Sequence, residues 1–517
     1  MSKALMRKTL ELSSSTLVSR VFGFMRDWLM PRYLGVGAVA DVFVTAFRLP
    51  NSLRKIFAEG ALSAACVPVF VRIVKEQGQE AASKLISSLF LIVEGFVLLF
   101  CWFIACYAQQ IVYLFAPGWQ DDQIILGVSL LKIFIFFIFF TSSSALLACA
   151  LQAVHHFLVP ACGQIILNIM VVAGIILCIN YNLSVATFAW MHVAGGLVMF
   201  LMHVAAYYRH NFRFMLRDIA TQKEVRDILR KFVPSILSIG FIEVNFWVSS
   251  SFASYLSSGS IALFTYASNF MRLPLGVLIV PFANIIFPQF ARVTVYAPKR
   301  LSYYLLEAAK LLFWTMIPIM LLMCFFAHDI FATLYLSEKF TMQDVIQAQW
   351  ILILMLFGIF FFAINKIIVN VFYALHNTFL PSCIMFCGSA ANTVLDILLM
   401  KSMGIYGLAL AQTIAVALQT VLFFVCVRRY MQVTLYGARF GQFVLRSLAQ
   451  LSCISLLFYG LFTLLRALFA QLPGYWAIFF TQKIGLWLWV GPLCVLMLLL
   501  MWLTNKRFGI KMHFLTL

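Results

Sequence analysis

Ala153-Val154-His155-His156-Phe157-Leu158-Val159-Pro160 returns 221 residues later as Ala374-Leu375-His376-Asn377-Thr378-Phe379-Leu380-Pro381, with one His and the Pro in matching places. A second set of words keeps nearly the same spacing. Tyr33-Leu34, Gly37 and Arg48-Leu49-Pro50 correspond to Tyr255-Leu256, Gly259 and Arg272-Leu273-Pro274, at offsets of 222 to 224. Asn168 and Asn392 follow the two matched prolines by eight and eleven residues. Matches in one order at almost one offset mark an internal duplication, and what lies between them fixes its geometry.

Between equivalent positions lie six apolar runs, each long enough to cross a bilayer, for which about 20 residues suffice. An even number of crossings preserves direction. The halves are therefore parallel repeats about an axis along the membrane normal, an arrangement found in transporters with a midplane site. Such runs fall near 11–34, 38–74, 84–109, 126–153, 158–180, 184–208, 230–257 and 260–292, then 302–327, 345–375, 380–400, 405–427, 442–466 and 484–504. The expectation is an all-α polytopic membrane protein of about 14 transmembrane helices, two parallel six-helix repeats plus two C-terminal helices. Its domains are an N-lobe at 1–210, a basic linker at 211–229, a C-lobe at 230–430 and the appended pair with a tail at 431–517. The runs at 38–74 and 260–292 exceed bilayer thickness and carry prolines, so they should tilt, kink or protrude.

Composition agrees. Hydrophobic residues make up 63% of the 517 and charged residues 11%, against about 25% charged in soluble chains. The net charge of +19 does not indicate nucleic acid, because most Lys and Arg sit in short loops between apolar runs. Alternate loops carry them: Arg72 and Lys75, Arg209 to Lys231, Arg292 to Arg300, Arg428 to Arg439, and Lys506 to Lys511. The intervening loops hold Asp121, Asp122, Asp329 and Asp344. The positive-inside bias places both termini in the cytoplasm. No cleavable signal peptide is expected, since the first run carries Arg20 and Arg26. The twelve cysteines are scattered without metal-site spacing, and the histidines, including His155, His156 and His376, are expected at cytoplasmic turns. No Walker, GxSxG or HExxH sequence occurs in a suitable context, so neither ATP hydrolysis nor covalent catalysis is indicated.

A minority of charges lie inside the runs. Arg20 and Arg26 flank Gly23, and Arg48, Arg54 and Lys55 surround Pro50. Each costs about 2.5–3.5 kcal/mol at a helix centre on insertion scales, so such residues face protein or an aqueous cavity. Asp27, Asp41 and Glu59 offset only part of the five cations. Arginine's planar fork suits phosphate oxygens, and a surplus of it calls for an anion such as a diphosphate. Arg272 is the repeat partner of Arg48. In the second half, Asn392 and Asp396 share a helix face four residues apart, and Glu243 and Thr413 lie in other spans. These oxygens would hold Na⁺ or relay a proton, or form a polar cluster that joins helices; both readings stand.

Ser19-Arg20-Val21-Phe22-Gly23-Phe24-Met25-Arg26-Asp27 resembles the opening motif of the MurJ lipid II flippases. Ala40-Asp41, Phe47-Arg48-Leu49-Pro50-Asn51, Leu53-Arg54-Lys55-Ile56-Phe57-Ala58-Glu59-Gly60-Ala61 and Val67-Pro68-Val69-Phe70 continue the likeness. The resemblance implies a two-lobed fold of the multidrug/oligosaccharidyl-lipid/polysaccharide exporter superfamily, alternating access around a cationic cavity, and lipid II and membrane lipids as partners in the bacterial inner membrane. It implies that Arg20, Arg26 and Arg54 line the cavity with Asp41 among them. It further implies that the last two helices form a groove for the polyprenyl tail, and that Na⁺ binds Glu243, Asn392, Asp396 and Thr413. One departure is visible: many members carry Asp-Arg where this chain reads Ser268-Asn269, and Arg272 follows three residues later. The alternatives are export of another lipid-linked glycan or of a drug by the same superfamily, or a non-transporting cell-wall scaffold. A cationic-drug exporter would line its cavity with acids.

Overall fold

The computed structural model describes residues 3–58, 61–215, 222–296, 300–375, 377, 379–430 and 436–512. Those residues form helices and turns, plus one isolated bridge between Ser337 and Phe340. Helix is what hydrocarbon demands, because it satisfies every backbone N–H and C=O inside one segment. Two compact units result, Met1–Ala262 and Leu263–Leu517.

The first unit holds α1 (Lys3–Leu34), α2 (Ala38–Ala58), α3 (Ala61–Cys106), the short α4 (Ala108–Phe115), α5 (Asp121–Ala153), α6 (Leu158–Asn180), α7 (Val185–Arg209) and α8 (Gln222–Ala253). α5 is the hub: α2, α3 and α7 pack on it, while α6 joins α7 to α1. α8, which the sequence repeat places with the second half, packs against α2, α3 and α4 and belongs to this unit. Small residues let helices approach closely. A Cβ on Gly174 of α6 would stand 2.7 Å from the Met191 Cβ of α7.

The run expected as one long span at 38–74 holds α2 up to Ala58 and α3 from Ala61, with residues 59–60 outside the described residues, and α3 bends at Gly78, whose φ of +83° only glycine adopts readily.

α9 (Ser260–Pro274) crosses the boundary between units and passes through one π-helical turn, Leu275–Ile279, into α10 (Val280–Tyr296). The second unit continues with α11 (Leu301–Phe325), α12 (Ala327–Leu334), α13 (Met342–Leu356), α14 (Ile359–Ala374), α15 (Phe379–Met403) and α16 (Ile405–Tyr430). It ends in α17 (Gly437–Ala470), α18 (Tyr475–Gln482) and α19 (Leu486–Thr504). α15 pairs with α16, α14 packs against α10 and α11, and α17 joins α11 to α19. A polar knot fastens the appended pair: buried Gln450 of α17 donates through Nε2 to the Met501 carbonyl at 2.6 Å and to Thr504 Oγ1 at 2.8 Å, and accepts from Trp314 Nε1 of α11 at 3.4 Å.

Among the described residues ten helices are long and apolar enough to cross a membrane, and α13 with α14, bent by 41°, makes an eleventh. The expected count of fourteen also needs α1, α2 and α8. α2 falls short of that apolarity because it carries Asp41, Arg48, Arg54 and Lys55, while much of α1 and α8 lies outside the residues whose side chains are described.

Candidate functional site

The N-terminal arginines converge on α6. Arg26 is half-buried: its Nε and Nη2 donate to Asp27 Oδ1 at 2.9 and 2.8 Å, and Nη1 donates to Asn168 Oδ1 at 3.2 Å. Asn168 in turn donates through Nδ2 to the Ser19 carbonyl at 3.3 Å, tying α6 to α1. Gly23 is part of that fit, since a Cβ there would lie 3.6 Å from Asn168 Nδ2. Arg54 of α2 donates through Nε to Asn51 Oδ1 at 3.1 Å and through Nη1 to Gln164 Oε1 at 3.0 Å. Gln164 and Asn168, four residues apart, occupy one face of α6.

This arrangement has an electrostatic consequence. A neutral amide oxygen orients a guanidinium without cancelling its charge, whereas a carboxylate does both. Asp27 accepts from Arg26, whereas Asn51 and Gln164 orient Arg54 through amide oxygens. Arg20 lies on the exposed side of α1, and Arg48 is half-buried on α2. Glu59 lies outside the described residues.

Asp41, expected among the cavity residues, is only 3% exposed, and both oxygens are engaged: Oδ2 accepts from the Gly259 N–H and Oδ1 from the Ala262 N–H, each at 2.7 Å. A carboxylate at the positive end of a helix is a cap, and Asp41 caps α9. Gly259 must be glycine there, since its φ is +94° and Val36 Cγ1 occupies the place of a Cβ.

Arg272 sits in the last turn of α9, half-buried, immediately before Pro274 and the π-helical turn. Proline removes one backbone N–H, and π-turns interrupt helices where function needs irregular backbone. The bend anticipated at Pro274 takes this form. Ser268, one of the two departures from the family pattern, is buried and donates to the Thr265 carbonyl at 2.9 Å.

Of the oxygens expected to take a cation, Asn392 and Asp396 meet on α15, both buried, with Asn392 Nδ2 donating to Asp396 Oδ2 at 2.9 Å. Thr413 on the adjacent α16 donates its hydroxyl proton to the Leu354 carbonyl at 2.7 Å, which leaves its lone pairs available. A carboxylate, an amide and a hydroxyl are the hard donors that Na⁺ accepts, so the residues fit. The Glu243 side chain lies outside the described residues.

Gln164 does not stand out in the sequence, and Asn168 does so only as a repeat position. The usable signal was two amides at i and i+4 in an otherwise apolar span, where polar side chains face protein. His155 and His156 lie in the turn between α5 and α6 as expected, but two other histidines differ. His192 and His203 are buried within α7, and their Nδ1 atoms contact the Phe188 and Met199 carbonyls at 3.0 and 2.8 Å. His192 is enclosed by Phe43, Phe47, Phe134 and Phe188.

A family profile described as lipid II flippase MurJ matches residues 30–484. The chain belongs to the MurJ lipid II flippase family. A probable lipid II flippase MurJ of Rhizobium tropici is 30% identical over 441 residues, covering 82% of this chain and 81% of that protein. The lipid II flippase MurJ of Burkholderia cenocepacia is 26% identical, over 82% and 84% of the two chains. A solved structure of lipid II flippase MurJ in an inward closed conformation is similar with a TM-score of 0.78 at 25% identity, over 97% of this chain and 99% of that one. An inward-facing MATE family transporter of the MOP superfamily shares the fold, with a TM-score of 0.70 at 15% identity over 82% and 98% of the chains. Membership in the MurJ family makes this chain a multi-pass membrane transporter and not an enzyme.

Proposed function

We propose that the protein moves lipid II, the lipid-linked peptidoglycan precursor, from the cytoplasmic to the outer face of the inner membrane by alternating access. In this reading Arg26 and Arg54, with Arg20 and Arg48 on the same two helices, bind the diphosphate, and Arg272 is a cation that transport needs. The observation that carries it is the pair of α6 amides, Gln164 and Asn168, which hold two guanidiniums in place. Preorganised guanidiniums suit a diphosphate and oppose a cationic drug. Asp41, the acid a drug exporter would use, is engaged in capping α9. The exposed apolar sides of α17 and α19, with Leu456, Leu464, Leu488 and Val495, suit a polyprenyl tail. Both termini face the cytoplasm.

The test is translocation of lipid II by purified protein in liposomes. Wild type flips it, and a folded Arg26→Ala, Arg54→Ala variant does not; a variant that flips normally removes the arginines from the mechanism. A scaffold would show no flipping at all.

A second reading concerns the buried Asn392–Asp396 pair. Asn392, Asp396 and Thr413 would hold Na⁺ through their side-chain oxygens. Replacing K⁺ by Na⁺ at equal ionic strength should raise the melting temperature of wild type and not of Asp396→Asn. Equal melting of wild type in the two salts leaves the pair as helix-joining polar contacts.

A further inference from the structure

α3 and α5 bury a carboxyl group that the arginine cluster does not use. Glu94 stands near the middle of the apolar part of α3, 3% exposed, against Thr141-Ser142-Ser143-Ser144 of α5. Ser142 Oγ lies 2.9 Å from Glu94 Oε2 and 3.0 Å from the Phe139 carbonyl oxygen. The Ser143 hydroxyl, 0% exposed, lies within electrostatic reach of the same carboxyl. Glu94 Oε1 and Ser143 Oγ are both buried without a hydrogen-bond partner among the described residues. By contrast, Thr141 and Ser144 bond back to their own helix through the Phe137 and Phe140 carbonyls.

Proton counting decides the chemistry. A serine hydroxyl has one hydrogen, yet Ser142 touches two acceptors if Glu94 is ionised. Both contacts become hydrogen bonds when Oε2 carries a proton and donates it to Ser142 Oγ, which then donates to Phe139.

Nor do neighbouring residues supply a positive counter-charge at this point. The elements packed on α3 among the described residues are α2, α4, α5 and α8, with the segment His210–Met215 after α7, whose Arg213 lies at Ser83, about three helical turns from Glu94. α4 has no charged residue, and Lys132 of α5 lies on its exposed face. The described charged side chains of α8 lie at its start, between Lys223 and Arg230. On α2, Asp41 caps α9, and Arg54, Arg48 and Lys55 belong to the cluster around Pro50. On α3 itself, Lys84 pairs with Glu80, and the Cys101 thiol lies within reach of the Glu94 charge.

We propose that Glu94, with Ser142 and Ser143, forms a proton-binding site inside the first unit. The carboxylate takes up one proton on Oε2 and no other bond changes. Buried acids of this kind serve as ion sites and proton relays in transporters. The site stands apart from the diphosphate reading and holds whether or not that reading does.

Infrared spectroscopy of the purified protein in liposomes tests it. Wild type at neutral pH should show the carbonyl stretch of a protonated carboxyl, shifted in D2O and lost as pH rises. Glu94→Gln, which keeps the shape and can donate its amide N–H to Ser142 as the protonated acid does, should lose that band. Ser142→Ala should keep the band but move its titration, since one partner of the carboxyl is gone. Identical wild-type and Glu94→Gln spectra across the pH range overturn the proposal. So does a Na⁺-dependent rise in melting temperature that Glu94→Gln abolishes and Asp396→Asn retains, because a metal ion then occupies the site. Should Glu94→Gln not fold, an unmoved titration in Ser142→Ala overturns it equally.

Discussion

Replacing Gln164 by Leu removes the acceptor 3.0 Å from Arg54 Nη1 while nearly conserving side-chain volume. A hydrogen bond to a charged group contributes about 1.5–3 kcal/mol. Arg54 is only half-buried, so the lower end applies, about 1.5 kcal/mol, or roughly a tenfold loss in a rate or affinity that depends on the guanidinium's aim. Arg54 keeps Asn51 as a second acceptor at 3.1 Å, so the loss should not exceed that figure. Lipid II flipping in liposomes should therefore fall up to about tenfold in Gln164→Leu and much further in Arg54→Ala. The double variant should be no worse than Arg54→Ala, because Gln164 acts through Arg54 and coupled residues are not additive. Gln164→Glu adds the charge test: a carboxylate orients Arg54 as well as an amide but neutralises it, and should impair flipping more than Leu does. Independent, multiplying losses from Gln164→Leu and Arg54→Ala would refute the positioning role. Full activity of Gln164→Glu would refute the argument that the arginines act through their charge.

Other outcomes follow from the same geometry. Asp41→Ala removes two 2.7 Å bonds from backbone N–H groups to a charged acceptor, together about 3–6 kcal/mol; it should melt well below wild type, with Asp41→Asn between. Gly259→Ala should be destabilised as well, because it meets Val36 and a φ of +94° together. Arg272→Ala should impair flipping and Asn269→Arg should restore it in part, since the two positions are three residues apart on one helix. Loss without rescue would keep Arg272 in the mechanism and end its claim to replace the family's arginine. In a background without native cysteines, an impermeant thiol reagent applied from outside should label a cysteine placed at Asp121 and not one placed after Lys511. Labelling at both would overturn the orientation.

The sequence by itself determined the class, the helical architecture and the cations. Membrane spans are legible because hydrocarbon imposes one length and one apolarity on every crossing. Arg20, Arg26, Arg48 and Arg54 stood out because charge is costly there. Even the disturbance after Arg272 was visible, since Pro274 acts on its own helix. Tertiary structure alone decided what those groups touch. Asn168 and Gln164 reach Arg26 and Arg54 across 142 and 110 residues, and Asp41 caps a helix 218 residues away. Ser142 finds Glu94 across 48. Helical periodicity assigns a side chain to a face of its own helix, but the neighbour on that face depends on how distant helices pack. Asp41 shows the difference: its buried charge was evident from its position in the sequence, while its partners, two backbone N–H groups, have no side-chain signature to read.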